Sequence, residues 1–225
     1  MPAWRCSPPS DLNGLIAQGC YSKYMVSPSD ADRFHHAIAL IDQANALDPR
    51  QENWEGESHP KELLYSRRMT AWLERLEPTA SELLRIAVRA QHICRWQSLR
   101  SDYPEGRAGY LRWRTDLYRF HAERAAEAMT QAGFTPAECE RVSELLQKKR
   151  LKQDPEAQAL EDVACLVFLE FYFADFAPGH DTAKVISILQ KTWGKMSPHA
   201  QQAALAIPLV PEARQLVEKA LSGGN

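Results

Sequence analysis

The sequence predicts an all-α fold, a single-domain helical bundle, and three observations carry that expectation. Apolar residues return at three- and four-residue steps through most of the chain, the spacing that lines one face of a helix. Cap residues followed by proline or an acid recur before Pro60, at Thr79 with Glu82, at Thr135 with Pro136 and Glu138, at Asp154 with Pro155 and at Ser197 with Pro198, each a helix-start signature. No alternating strand pair, Asn-Gly hairpin turn or fixed-period repeat is legible. The 225 residues suit one large domain: an irregular N-terminal arm over 1–28, a helical domain over 29–221 and a flexible tail over 222–225.

In order, the first helix runs from Ser29 to Leu47 on Phe34, Ile38, Ile41 and Ala44. Asp48 to Glu57 is polar, ends next to Gly56 and reads as a loop. Ser58 and Pro60 open a second helix to Leu76, which places His59 at its mouth. The Thr79-Glu82 box opens a third over Leu83 to Trp96, apolar around most of its circumference and therefore buried. A polar segment leads to a long helix from Arg107 to Gln131, ended by Gly133. Helices over 136–149 and 155–176 follow, the latter the most apolar in the chain, then Asp181 to Lys195, a short helix after Pro198 and a last one over Glu212 to Leu221.

A formal net charge of -2 argues against a protein that coats nucleic acid non-specifically. The five cysteines are scattered and form no CxxC pair, so reduced thiols in a cytoplasmic protein are expected. No segment reaches the roughly 20 apolar residues of a membrane span, so no membrane partner is expected.

His92 is the organising feature, an imidazole inside the buried 83–96 helix. His59, His121 and Asp162 stand on three other predicted helices in partly apolar surroundings. A buried carboxylate is costly unless a cation meets it, and one metal ion satisfies a carboxylate and several neutral imidazoles together. The bland alternative is an Asp162 paired with Arg89, Arg112 or Arg114, and histidines that only cap or fill.

The order of these residues resembles the HD superfamily of helical metalloenzymes, whose pattern is a His, a His-Asp doublet closing a buried helix, and a later Asp. His59 matches the first His, His92 the doublet and Asp162 the last Asp, while His121 is similar to the extra histidines of two-metal members. Gln91-His92 stands where the doublet should be, which implies a single metal or an altered ligand set. The resemblance implies an HD-like fold holding a divalent ion (Fe, Mn or Zn) on His59, His92, His121 and Asp162. The stretches RAQHICRW, GYLRWRTDLYRFHAE, LEDVACLVFLEF and KTWGKMS also resemble a small uncharacterised helical family, over about residues 30–207, some of whose members carry a glutamyl-tRNA synthetase label. The synthetase's HIGH tetrapeptide is missing, and Pro198 and His199 replace the end of its KMSKS loop.

Between the second and third histidines Arg95, Arg107, Arg112 and Arg114 alternate with aromatic residues, Trp113 among them. Arginine holds phosphate by paired hydrogen bonds and aromatic faces stack on bases; a solvated helix face with snorkelling stems is the plain alternative. Lys148, Lys149, Arg150 and Lys152 read as a helix-end cluster. Three functions follow as expectations. The first is a metal-dependent HD-like hydrolase of a phosphate ester of a nucleotide or related metabolite. In it Glu123 or Glu161 acts as base, Arg89 neutralises charge, and Arg95, Arg107, Arg112, Arg114 and Trp113 hold the substrate. The second is an HD-like iron-dependent oxygenase on the same ligands. The third is a non-catalytic module that binds RNA, tRNA in particular.

Overall fold

The structure is a computed structural model that describes residues 30–222; the expected arm over 1–28 and residues 223–225 of the tail lie outside the described residues. Ten α-helices and one two-stranded hairpin make up these residues, so the chain is all-α as its periodicity predicts. They are α1 (Asp30–Ala46), α2 (Lys61–Leu76), α3 (Glu82–Ala90), α4 (Gly106–Gln131), α5 (Pro136–Leu146), α6 (Pro155–Val167), α7 (Phe173–Phe176), α8 (Thr182–Trp193), α9 (Pro198–Leu205) and α10 (Pro211–Ser222). Helices α2, α3 and α6 pack on one another in the centre, α4 and α5 form a neighbouring pair, and α8 packs on α10. Met69, Leu73, Ile86, Val88, Leu160 and Leu166 are fully buried where the central three meet.

Local chemistry explains most helix starts. Thr135 and Glu138 form a reciprocal capping box on α5, and Asp154, Asp181 and Ser197 accept from the first free N–H groups of α6, α8 and α9. On α3 the cap is Ser81, whose Oγ accepts from Leu84 N at 3.1 Å, rather than Thr79.

Three expectations are corrected. The expected loop over Asp48–Glu57 and the helix start at Ser58 give way to a hairpin: β1 (Gln51–Trp54) and β2 (Glu57–Pro60) pair antiparallel around Glu55 and Gly56, at φ 53° and 84°. Two successive positive-φ residues give the hairpin its tight twist, but the turn is Glu-Gly in a polar setting and the strand pattern is faint. What fixes the hairpin is distant. The Arg68 guanidinium lies 4.5 Å from both the Trp54 and Phe171 rings and pairs with Glu52.

The 83–96 helix stops at Ala90. Cys94 takes a left-handed conformation at φ 53°, and its N–H donates to the side chain of buried Asn45 at 3.1 Å, an acceptor 49 residues earlier in the chain. His92 therefore stands in a turn rather than in a helix. The 155–176 helix runs through a π segment at Phe168–Tyr172, a widened turn of the kind found at functional sites.

Candidate functional site

The turn after α3 faces α4 across a cavity of about 280 Å³. From α4 come Tyr110, Trp113, Arg114, Leu117, Tyr118 and His121, spaced by three and four residues so that one helical face supplies them all. Gln91, His92 and Arg95 enter from the turn, Tyr65 from α2 and Lys148 from just beyond α5. Lys148 follows the last turn of α5 in a left-handed conformation at φ 55°, a common way for a helix to end, which turns its side chain away from the helix path.

His92 lies flat against Tyr65, ring centroids 4.0 Å apart and planes 12° from parallel. Its Nδ1 faces Oε2 of buried Glu62 at 3.4 Å, and its Nε2 lies 2.9 Å from Nη1 of Arg95. A guanidinium can only donate, so Nε2 carries the lone pair and Nδ1 the proton. Enclosure by protein, then the Arg95 charge, lower the His92 pKa to about 4 despite Glu62. Burial opposes the Glu62 charge, but the contacts with His92, Arg95 and Arg50 outweigh it and hold that carboxyl below its ordinary value.

His121 is fixed in the same sense. Its Nδ1 donates to the Ile93 carbonyl at 2.8 Å, which leaves a buried Nε2 lone pair with no protein partner. Burial and the neighbouring His92 lower its pKa to about 3, and the two imidazole centroids are 5.9 Å apart. Gln91 Oε1 is a second buried acceptor left without a partner. Each such group costs about 1–3 kcal/mol, a cost that a donor entering the cavity would relieve.

The lining holds three cations, Arg95, Arg114 and Lys148, and no carboxylate. Arg114 donates to the Tyr118 hydroxyl, and Lys148 pairs with Glu161, whose other oxygen is 3.2 Å from Lys195 Nζ. The Arg95 guanidinium stands 5.3 Å from the Trp113 ring. The walls thus offer positive charge, flat aromatic faces and two neutral imidazoles that present acceptors.

Of the expected site residues, Arg95, Trp113, Arg114, His92 and His121 line this cavity, and the others do not. His59 sits in β2 beside Glu57. Asp162 accepts from Ser197 N at 2.8 Å, Ser197 Oγ at 2.5 Å and Gln158 Nε2 at 2.8 Å, so it anchors the start of α9 without any cation. Glu161 is spent on two lysines. Arg89 is bound bidentate to Asp42 at 2.7 and 2.6 Å, tying α3 to α1. Glu123 and Arg112 face an open groove on another side of α4, and Arg107 is exposed near that helix's start. Among the described residues no three His, Cys, Asp or Glu side chains converge as a metal-binding group, so the four-ligand set of His59, His92, His121 and Asp162 is not assembled. The helical spacing of each residue was readable, but their mutual placement depends on how the helices cross.

Glu62, Tyr65 and Lys148 were not anticipated as site residues. A signal existed for Lys148, the run of cations at a helix end. Glu62 sits one residue into α2 and looks like an ordinary first-turn acid.

Among known families, the model described as "Domain of unknown function (DUF4202)" matches residues 35–217, a span that contains every residue of the cavity. No curated protein and no solved structure matches the chain. Among the described residues, no helix is long and apolar enough to cross a membrane.

Proposed function

The chain belongs to the DUF4202 family, and we propose that its cavity binds a phosphate ester of a nucleotide or related metabolite and hydrolyses it. The observation that carries this reading is the union of Arg95, Arg114 and Lys148 with aromatic faces and neutral imidazoles in one cavity lined by no carboxylate. Guanidinium groups grip phosphate oxygens by charge-assisted bonds, and Trp113 or Tyr110 offers a face to a base.

His92 is the base in this reading. A phosphate that draws Arg95 away from Nε2 exposes the lone pair and removes the nearest positive charge, which raises the affinity of the ring for a proton. Water attacks phosphorus, its proton passes to Nε2, the ester P–O bond breaks, and the leaving oxygen takes the proton back. Glu62 holds the ring in the required tautomer.

A metal-assisted form of the same reaction is favoured by one feature. Both imidazoles have Nδ1 engaged, by Glu62 and by the Ile93 carbonyl, in the manner of metal-bound histidines, and turn Nε2 toward the cavity. His92 and His121, completed by substrate oxygens, would hold the ion, without the His59 and Asp162 of the HD-like pattern.

Calorimetry with adenosine monophosphate, together with phosphate release with and without added Mn²⁺, Fe²⁺ or Zn²⁺, tests both forms. Lys148→Ala and Arg114→Ala are expected to weaken binding about tenfold each, the value of one charge-assisted contact, and His92→Ala to abolish release. An absence of nucleotide binding, with salt-sensitive tRNA binding that depends on Arg112, would replace this reading by the RNA-binding one.

A further inference from the structure

A second cavity, of about 380 Å³, adjoins the first. It shares Tyr65, His92, Arg95 and Ala164 with the first, so the two meet along these residues. Two cations of its own line it, Arg50 and Lys61, over a floor of Phe168 and Tyr172. One carboxylate is present, that of Glu62, but its Oε1 is 2.7 Å from Arg50 Nη2 and its Oε2 faces His92, so its charge is already met. Lys61 is the first residue of α2, is exposed, and makes no ion pair among the described residues.

We propose that the ligand carries two phosphoryl groups, one in each cavity, with Arg95 between them and Lys61 gripping the second. This rests on the phosphate-ester reading of the first cavity and narrows its substrate class to doubly phosphorylated compounds. Cations in both cavities, with a guanidinium where the two meet, suit two anionic groups better than one. The positive end of α2, which opens at Pro60 without a side-chain cap, adds to the field there. Arg50 is shared with Asp48 and Glu62 and mainly shapes the wall, so Lys61 carries most of the selectivity.

The test is calorimetry on the full chain with adenosine 5′-monophosphate, adenosine 5′-diphosphate and adenosine 3′,5′-bisphosphate. The comparison includes Lys61→Ala, Lys61→Gln and, as a control on the exposed face of α8, Lys184→Ala. The expected result is that at least one doubly phosphorylated probe binds the wild type about tenfold tighter than the monophosphate, the value of one added charge-assisted contact. Both Lys61 variants are expected to bring that ratio near one, while the control preserves it. Equal affinity for all three probes, or a ratio unchanged by both Lys61 variants, overturns the two-phosphoryl site while the first-cavity reading stands. Binding of none of the three overturns both.

Discussion

Nη1 of Arg95 lies 2.9 Å from Nε2 of His92, so the lone pair that the imidazole turns toward the cavity is already occupied by a guanidinium. The contact adds to burial in keeping the ring neutral and ties Arg95 to the ring that it would have to release. An anion in the cavity competes for that same guanidinium.

The His92 pKa is therefore expected to rise from its low value of about 4 when Arg95 is replaced by glutamine, because a positive charge beside the ring opposes protonation. The rise stays partial, since enclosure of the ring is the larger cause and remains. Titration of the ring C–H resonances by NMR measures it; a pKa unmoved by Arg95→Gln would mean that burial alone sets it.

Acid should unfold the protein through His92 and His121. The unfolded chain titrates histidine near 6.5, whereas His92 and His121 are lowered to about 4 and about 3, by burial first and then by Arg95 and by His92 respectively. Between pH 6.5 and 4 the unfolded state binds more protons, so this contribution is fully present above pH 6.5 and is lost as pH falls toward the folded values. Unfolding free energy is expected to drop by about 1 kcal/mol per pH unit for each imidazole in that window. His121→Asn can keep a donor for the Ile93 carbonyl and removes one titration, so urea unfolding at a series of pH values should show a shallower slope.

Asp162→Ala separates anchoring from chemistry. It strips the partner from two Ser197 donors and from Gln158, and a loss of about 2–4 kcal/mol is expected from hydrogen bonds to a charged acceptor. Adenosine monophosphate affinity of the folded fraction should be unchanged. A loss of affinity larger than the loss of fold would return Asp162 to the site.

Gly109 has a different task. A Cβ there would stand 1.9 Å from the Pro104 carbonyl oxygen, so the loop over 98–105 rests directly on the α4 backbone. Gly109→Ala is expected to cost about 1–3 kcal/mol by overpacking. It should also displace Ser98, whose carbonyl accepts from Trp113 Nε1 at 3.2 Å, and so weaken ligand binding along with thermal stability. Tm and nucleotide affinity measured together check both effects.

Much of this architecture was legible locally. The caps at Thr135, Asp154, Asp181 and Ser197 act within three residues of their own position, and the stripe from Tyr110 to His121 is a matter of helical spacing, so both could be read from neighbours in the chain. The hairpin was not, because its strands are polar and its support, Arg68 between Trp54 and Phe171, comes from α2 and from a π segment more than a hundred residues away. The end of α3 was hidden for the same reason, since the acceptor that stops it is Asn45.

By itself the sequence determined an all-α chain, the order of its helices, and a long helix that carries arginine, tyrosine and tryptophan together with His121, since propensity, capping and periodicity operate over one or two turns. Only the tertiary structure decided which ionisable groups meet. It set His92 against Glu62, Tyr65 and Arg95, joined Arg89 to Asp42 and turned Asp162 to Ser197. Those pairings depend on how distant helices pack, and a helix presents every side chain to some face without specifying what will lie opposite it.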